Sequence, residues 1–280
     1  MSKRCILTDS TCLLANHSNS ASVPVFFLDL TVKNTALTIK FPSSVPGSKL
    51  DQRSIPVKKL IIPEVDLLHK RFSELTSEFD EILCITISSG ILPLHERIVK
   101  AASLSRGNHK IRVIDSLTTA AGLGLLVKTA QKEFNRQRNS EQAEAVIRDQ
   151  IPNIFSSICT SDITNLHANS LADLPQAVIS KMMGTSVIFS IEDGVLTPVS
   201  KAKNPQSAIE FFIEYVSEFE HLENITFIHS ANSLSYDFDY LKDQITLLFP
   251  SIPLVQISSN ASLNALLGDN AFGLVIQQKS

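Results

Sequence analysis

Hydrophobic and polar positions alternate in blocks that set out the fold. Short apolar runs at Arg4–Leu7, Val23–Thr31 and Ala36–Phe41 predict strands, the last through its Thr-Ile-Lys-Phe alternation. Pro42–Pro56, rich in proline and serine, predicts a loop. Val65, Leu68, Phe72 and Leu75 recur at helical spacing and predict a helix over Glu64–Phe79. A strand (Glu81–Ile87), a helix (Leu94–Ser105), a strand (Lys110–Ile114) and a helix (Ala120–Asn135) follow, and Ser140 is placed to cap a helix ending near Asp149. Such a βαβα rhythm predicts a mainly parallel sheet flanked by helices.

Beyond Ile151-Pro152 the pattern changes. Asn153–Cys159 predicts a strand and Leu174–Met182 a helix. Thr185–Ser190 and Val195–Val199 flank Glu192-Asp193-Gly194, which predicts a hairpin. Pro205–Glu218 predicts a helix capped by Asn204, and Ser235–Leu248 another. Asn224–His229, Leu254–Ile257 and Phe272–Gln277 predict strands. The fold class expected is two-domain α/β: an N-terminal domain over residues 1–150 and a C-terminal mixed α/β domain with a hairpin over 151–280.

Composition narrows the function. Hydrophobic residues make up 44% and charged residues 19% of 280, enough apolar material for a sizeable core. A net charge of −3 argues against nucleic acid as a partner. The densest basic run, Lys128–Arg138, includes Glu133 and reads as a solvated helix face. No apolar run reaches the length of a membrane span, and nothing at the N-terminus resembles a signal peptide. Cys5, Cys12, Cys84 and Cys159 lack zinc-ligand spacing, which predicts reduced thiols in a cytoplasmic protein; the sequons at Asn16, Asn224 and Asn260 are then chance matches. No metal or cofactor is expected: Gly122 and Gly124 lack the third glycine of a dinucleotide loop.

Candidate chemistry gathers at strand ends. The first strand stops on Asp9-Ser10-Thr11, the Leu83–Ile87 strand on Ser88-Ser89-Gly90, and the Ile111–Ile114 strand on Asp115-Ser116. Three polar strand ends of one kind suggest one hydroxyl-rich cleft. Each segment also has a plainer reading as a turn or a cap. Of the histidines His17, His69, His95, His109, His167, His221 and His229, only His229 ends an apolar strand. A triad of Ser88, His229 and Asp9 or Asp115 is conceivable from composition, but no spacing supports it. His69 and His95 are expected to be exposed.

Taken in order, these segments resemble the DegV family, bacterial proteins that bind a fatty acid and in some cases present it to a fatty acid kinase. The resemblance rests on Ile6–Thr11, Val23-Pro24-Val25, Ile87–Gly90, Val113–Ser116, Gly122–Val127, Glu192-Asp193-Gly194 and Gly268-x-x-Ala271-x-Gly273. It implies a non-enzymatic protein of two α/β domains, with a long-chain fatty acid or other lipid and a fatty acid kinase as partners. Asp9, Ser10, Ser88, Ser89, Asp115 and Ser116 are its candidate lipid-site residues.

The chain departs from the family pattern where the head group would lie. Lys58–Pro63 stands for Thr-Ser-Gln-Pro-Ser-Pro, and Leu92-Pro93-Leu94 for Ser-Gly-Thr. Asn169–Ala172 stands for Gly-Gly-Arg-Ile, Leu266 for a histidine and Asn270 for a glycine. A buried carboxylate needs hydrogen bonds or a cation, so these changes imply altered ligand choice. The alternatives are a ligand-free paralogue acting as an interaction or regulatory protein, with Leu92, Leu94, Leu171 and Leu266 filling the former cavity, and a serine hydrolase or acyl transferase using Ser88 or Ser89.

Overall fold

A computed structural model describes residues 2–15, 23–41, 51–105, 110–230, 236–252 and 254–279. Four strands form a first, wholly parallel sheet: β1 (Arg4–Asp9), β2 (Val25–Leu28), β5 (Glu81–Thr86) and β6 (Lys110–Asp115), in the order β2-β1-β5-β6. Successive side chains of a strand point to opposite faces, and both faces here are apolar. Cys5, Leu7, Ile82 and Cys84 join one cluster with Leu68, Phe72 and Leu75 of α1 (Val65–Thr76) and Ile98 of α2 (His95–Ser103). Ile6, Leu83 and Ile85 join another with Leu123, Leu126 and Phe134 of α3 (Ala120–Asn135) and Ile147 of α4 (Ser140–Gln150). Helices on both faces explain why these strands read as unbroken apolar runs.

Between β2 and α1 the chain forms a separate antiparallel ribbon, β3 (Thr31–Phe41) with β4 (Asp51–Ile61). Residues 51–56, expected in a loop, are therefore strand; Pro56 sits in it because an edge strand tolerates a missing N–H. Residues 42–50 of that expected loop lie outside the described residues, as do Asn16, His17, His109 and Ser235.

The second sheet has the order β11-β10-β12-β7-β8-β9, from β7 (Ile154–Thr160), β8 (Ser186–Glu192), β9 (Val195–Ala202), β10 (Leu222–His229), β11 (Leu254–Ser258) and β12 (Phe272–Gln278). Only β10–β11 is parallel; the other pairs are antiparallel, including the expected β8–β9 hairpin. One face packs on Ala208, Ile209 and Phe212 of α7 (Pro205–Ser217) and Leu241 and Ile245 of α8 (Tyr236–Leu248). The other face, through Ile158 and Phe189, enters the same cluster as Leu7 and Phe72 of the first half. One apolar layer thus serves both sheets.

That layer also takes in α5 (Ile163–Ala168), α6 (Leu174–Met183) and α9 (Ala261–Leu267), through Leu166, Ala177 and Leu266. The cap of α4 is Asn139, in a reciprocal capping box with Gln142, one residue before the expected Ser140. Asn204 caps α7 as expected.

Candidate ligand-binding site

The three polar strand ends meet, since β1, β5 and β6 are neighbours in the first sheet. The Asp9 carboxylate is fully buried. It accepts hydrogen bonds from Thr11 N (3.0 Å), Thr11 Oγ1 (2.6 Å) and Ile87 N (2.7 Å), which ties the end of β1 to the end of β5. Burial raises its pKa above the ordinary carboxylate range, and these donors act against that rise. Ser88 N donates to Thr118 O, and Ser89 N to the Asp115 carboxylate (3.2 Å), which also accepts Leu117 N. The Ser116 hydroxyl donates to Thr118 O (3.0 Å) and accepts from Thr118 N.

The remaining two candidates reach across to the second half of the chain. The Ser88 hydroxyl, fully buried, donates to Gly194 O at 2.6 Å and accepts from Gly90 N. Gly194 forms the β8–β9 turn with φ +81°, and a Cβ there would lie 2.5 Å from Ser88 Oγ. A Cβ on Gly90 would lie 2.6 Å from Gly194 O. Gly90 requires glycine because two backbones touch, and Gly194 because of its left-handed φ and the Ser88 hydroxyl against it. The Ser10 hydroxyl accepts from Leu30 N and lies 2.7 Å from Ser262 Oγ on α9, while Asn260 Nδ2 donates to Ser10 O.

The imagined triad is not assembled. The ring of His229 bonds Ser230 O and Ser258 Oγ, while the Ser88 hydroxyl is held by Gly194 and Gly90. His95 is half-buried with Nδ1 3.4 Å from Thr86 Oγ1, and His69 is half-buried too, so neither is exposed as expected. All four cysteines are free and buried, and burial pushes the thiols of Cys5 and Cys159 up to about 12. Such thiols are unreactive. No metal-binding cluster occurs among the described residues.

Where the sequence departs from the family pattern, the structure shows an internal weld. Leu92, Leu94 and Leu266 are buried in the shared apolar layer, and Leu171 packs against it. Asn165 Oδ1 accepts Lys58 N (2.9 Å) and Asn169 Oδ1 accepts Leu60 N (2.9 Å), so α5 holds the edge of β4. Asn169 Nδ2 also donates to Lys58 O and Ala265 O, which brings in α9. Lys58 Nζ lies 2.6 Å from both carboxylate oxygens of Asp269. From the sequence Asn169 is named only as a departure from the family pattern, and Asn165 and Asp269 not at all. The two asparagines four apart are a signal that could have found them, since buried amides at that spacing share one helix face.

Two partly open spaces lie against the inner face of the second sheet. One, about 20 Å³, is lined by Ile158, Leu263, Leu267 and Ala271 and by Thr119, whose buried hydroxyl has no partner among the described residues. It has room for roughly one water. The other, about 250 Å³, lies between α6 and the β8–β9 hairpin. Its walls are mainly apolar, from Ile163, Ile179, Met183, Val187, Phe189 and Pro198, with Gln176, Ser180, Thr185 and Lys201 among them. A third space, about 780 Å³, is an open crevice along Asp115, Leu117, Arg148, Glu192 and Asp193.

A family model, described as that of the uncharacterised DegV family proteins, matches residues 3–279. The chain belongs to the DegV family. A DegV domain-containing protein of Clostridium acetobutylicum is 24% identical over 224 residues, 78% of either chain. Two solved structures share the fold. A DegV family protein from Eubacterium eligens loaded with heptadecanoic acid has a TM-score of 0.77 at 16% identity, covering 99% of this chain and 100% of that one. A fatty acid kinase B3 protein from Streptococcus pneumoniae loaded with linoleic acid has a TM-score of 0.80 at 14% identity, with the same coverage. Within the DegV frame the two α/β domains are accounted for, and among the described residues no helix is long and apolar enough to cross a membrane.

Proposed function

We propose that this DegV-family chain is a non-enzymatic lipid carrier of the cytoplasm that holds a long-chain fatty acid or another acyl lipid and presents it to a fatty acid kinase. The observation that carries the reading is the apolar hollow of about 250 Å³ beside α6, in a chain that shares its fold with proteins loaded with fatty acids. The volume lies near the lower end of ligand pockets, roughly 300–1,000 Å³. The polar end of the ligand is held weakly in this reading, because Leu92, Leu94 and Leu266 offer no hydrogen bond to a carboxylate.

The strand-end residues enter the reading as its framework. Asp9, Ser88, Ser89, Asp115 and Ser116 hold the loops around the cleft, and Ser10 joins them, its hydroxyl accepting Leu30 N and lying 2.7 Å from Ser262 Oγ. We place the domain boundary near residue 150, since the first sheet draws on residues up to Asp115 and the second begins at Ile154.

Native mass spectrometry of the purified protein tests the reading: a bound acyl species is expected, with a thermal shift from hexadecanol at least as large as that from palmitate. Protein free of lipid, with no shift from either compound, overturns it. That outcome supports a second reading, favoured by the burial of Leu92, Leu94 and Leu266: a ligand-free paralogue that acts through protein interaction.

A further inference from the structure

Sheet edges are templates for aggregation, and folded proteins blunt them. Most edges of this molecule are blunted. β2 and β11 are only four and five residues long, β9 carries Pro198, and β6 carries Lys110 and Arg112. On β4, Pro56 lacks an N–H, and the outward N–H groups of Lys58 and Leu60 are taken by Asn165 and Asn169.

The register then fixes which groups of β3 point outward. Lys58 and Leu60 face away from β3, so their direct partners Asn34 and Val32 face away from β4. With a period of two, Ala36 and Thr38 do the same. Asn34, Ala36 and Thr38 are exposed, and their outward backbone groups meet no partner among the described residues. β3 is eleven residues long and contains no proline. Over Val32–Thr38 it is an edge with neither a proline nor a side chain bonded to its outward groups among the described residues, and Lys33 is its one charge.

Charge adds a second, independent observation. Residues 31–61 carry Lys33, Lys40, Lys49, Arg53, Lys58 and Lys59 against a single acid, Asp51, a net +5 that leaves −8 on the rest of the chain. Spread along the sequence these residues form no basic run; strand pairing brings Lys33, Lys40, Arg53, Lys58 and Lys59 onto one ribbon, where Lys58 is paired with Asp269. Lys33 lies directly opposite Lys59, both exposed. Like charges directly opposite destabilise a strand pair, and an incoming anionic group relieves them.

We propose that the outer edge of β3, from Val32 to Thr38, is a strand-addition site for an extended acidic segment of a partner protein. An extended peptide satisfies the row of N–H and C=O groups through main-chain hydrogen bonds. A lipid surface cannot satisfy an open sheet edge. A second copy would bring two basic ribbons together, with Lys33 and Lys59 exposed on each, which charge complementarity disfavours.

The test uses the full chain with a fluorescent peptide of alternating Glu and Val, long enough to cover Val32–Thr38, and a Lys-Val counterpart. The Glu-Val peptide is expected to bind at least about tenfold more tightly than the Lys-Val peptide, and to slow hydrogen exchange at Asn34, Ala36 and Thr38. Ala36→Pro removes an outward donor without touching a β3–β4 bond and is expected to weaken binding about tenfold, with an unchanged far-UV spectrum. Should Ala36→Pro fold poorly, Lys33→Glu and the wild-type exchange pattern decide. Lys33→Glu is expected to weaken binding and flatten its salt dependence. The proposal is overturned if the Glu-Val peptide does not bind, or if it binds without protecting those amides. It is equally overturned if a well-folded Ala36→Pro binds as wild type. Preference for vesicles containing phosphatidylserine, or a dimer in sedimentation that Ala36→Pro abolishes, assigns the edge to a membrane or a second copy instead.

Discussion

The polar strand ends of the first sheet and the apolar hollow beside α6 differ in how much of their bonding capacity is spent. Asp9, Ser88, Asp115 and Ser116 are rich in donors and acceptors, and those groups bind one another or the β8–β9 turn. The hollow is mainly apolar, with Ser180 and Lys201 on its walls, and opens about 250 Å³ of space. A polar side chain recruits a ligand only with capacity its own fold has not used. An apolar wall binds through area alone and is never used up in that sense. In this chain the conspicuous residues build the scaffold, and inconspicuous ones such as Ile179 and Met183 border the space.

Substitutions on either side separate these roles. Asp9→Ala has the largest expected effect: it strands the buried N–H of Ile87 and both donors of Thr11, and costs about 3–4 kcal/mol. Urea unfolding measures it, and a loss below about 1 kcal/mol would contradict the scaffold role. The same carboxyl gives a pH signature. Its folded pKa lies above the unfolded value, so the folded state binds more protons across the interval between them, and stability falls as pH rises through that window. Unfolding from about pH 4 upward, with Asp9→Asn as the non-titrating reference, should show this slope in wild type only.

Gly194→Ala should cost about 2–3 kcal/mol, because the left-handed φ and the contact with Ser88 Oγ both oppose a methyl group. Its thermal midpoint should fall while the far-UV spectrum keeps its shape. Ser88→Ala should cost only about 1 kcal/mol and leave acyl retention in native mass spectrometry unchanged. Loss of bound lipid in that variant, at intact stability, would instead make Ser88 a ligand contact. Ile179→Asp inverts the pattern. At 52% exposure it should move stability by no more than about 0.5 kcal/mol. It should nevertheless abolish the shift seen with hexadecanol, because it puts a charge on the wall of the hollow.

Much of the architecture was legible because each element announces itself locally. Cys5, Ile6 and Leu7 alternate between two covered faces, and Asp193-Gly194 marks its own turn. What escaped was short or depended on distant partners. α5 and α9, six and seven residues long, offer too few turns for a helical period to register. β4 lay hidden behind Pro56, a residue that signals a loop until its neighbour shows it lies on an edge. The polar strand ends were found as a group, yet whether each hydroxyl is free depends on residues far along the chain. Gly194 decides it for Ser88, and Ser262 for Ser10. No local pattern carries that information.

The apolar layer shared by both sheets has a thermodynamic corollary. Leu60, Leu92 and Leu94 from the first half and Leu166, Phe189 and Leu266 from the second belong to one packed cluster. Neither half has a dry interface of its own on that side. Separated at the linker, each would turn this surface toward water and lose the partner atoms that fill it. The two domains of this chain are therefore units of architecture rather than of melting: heat should dissolve them in one calorimetric step, as a single cooperative body.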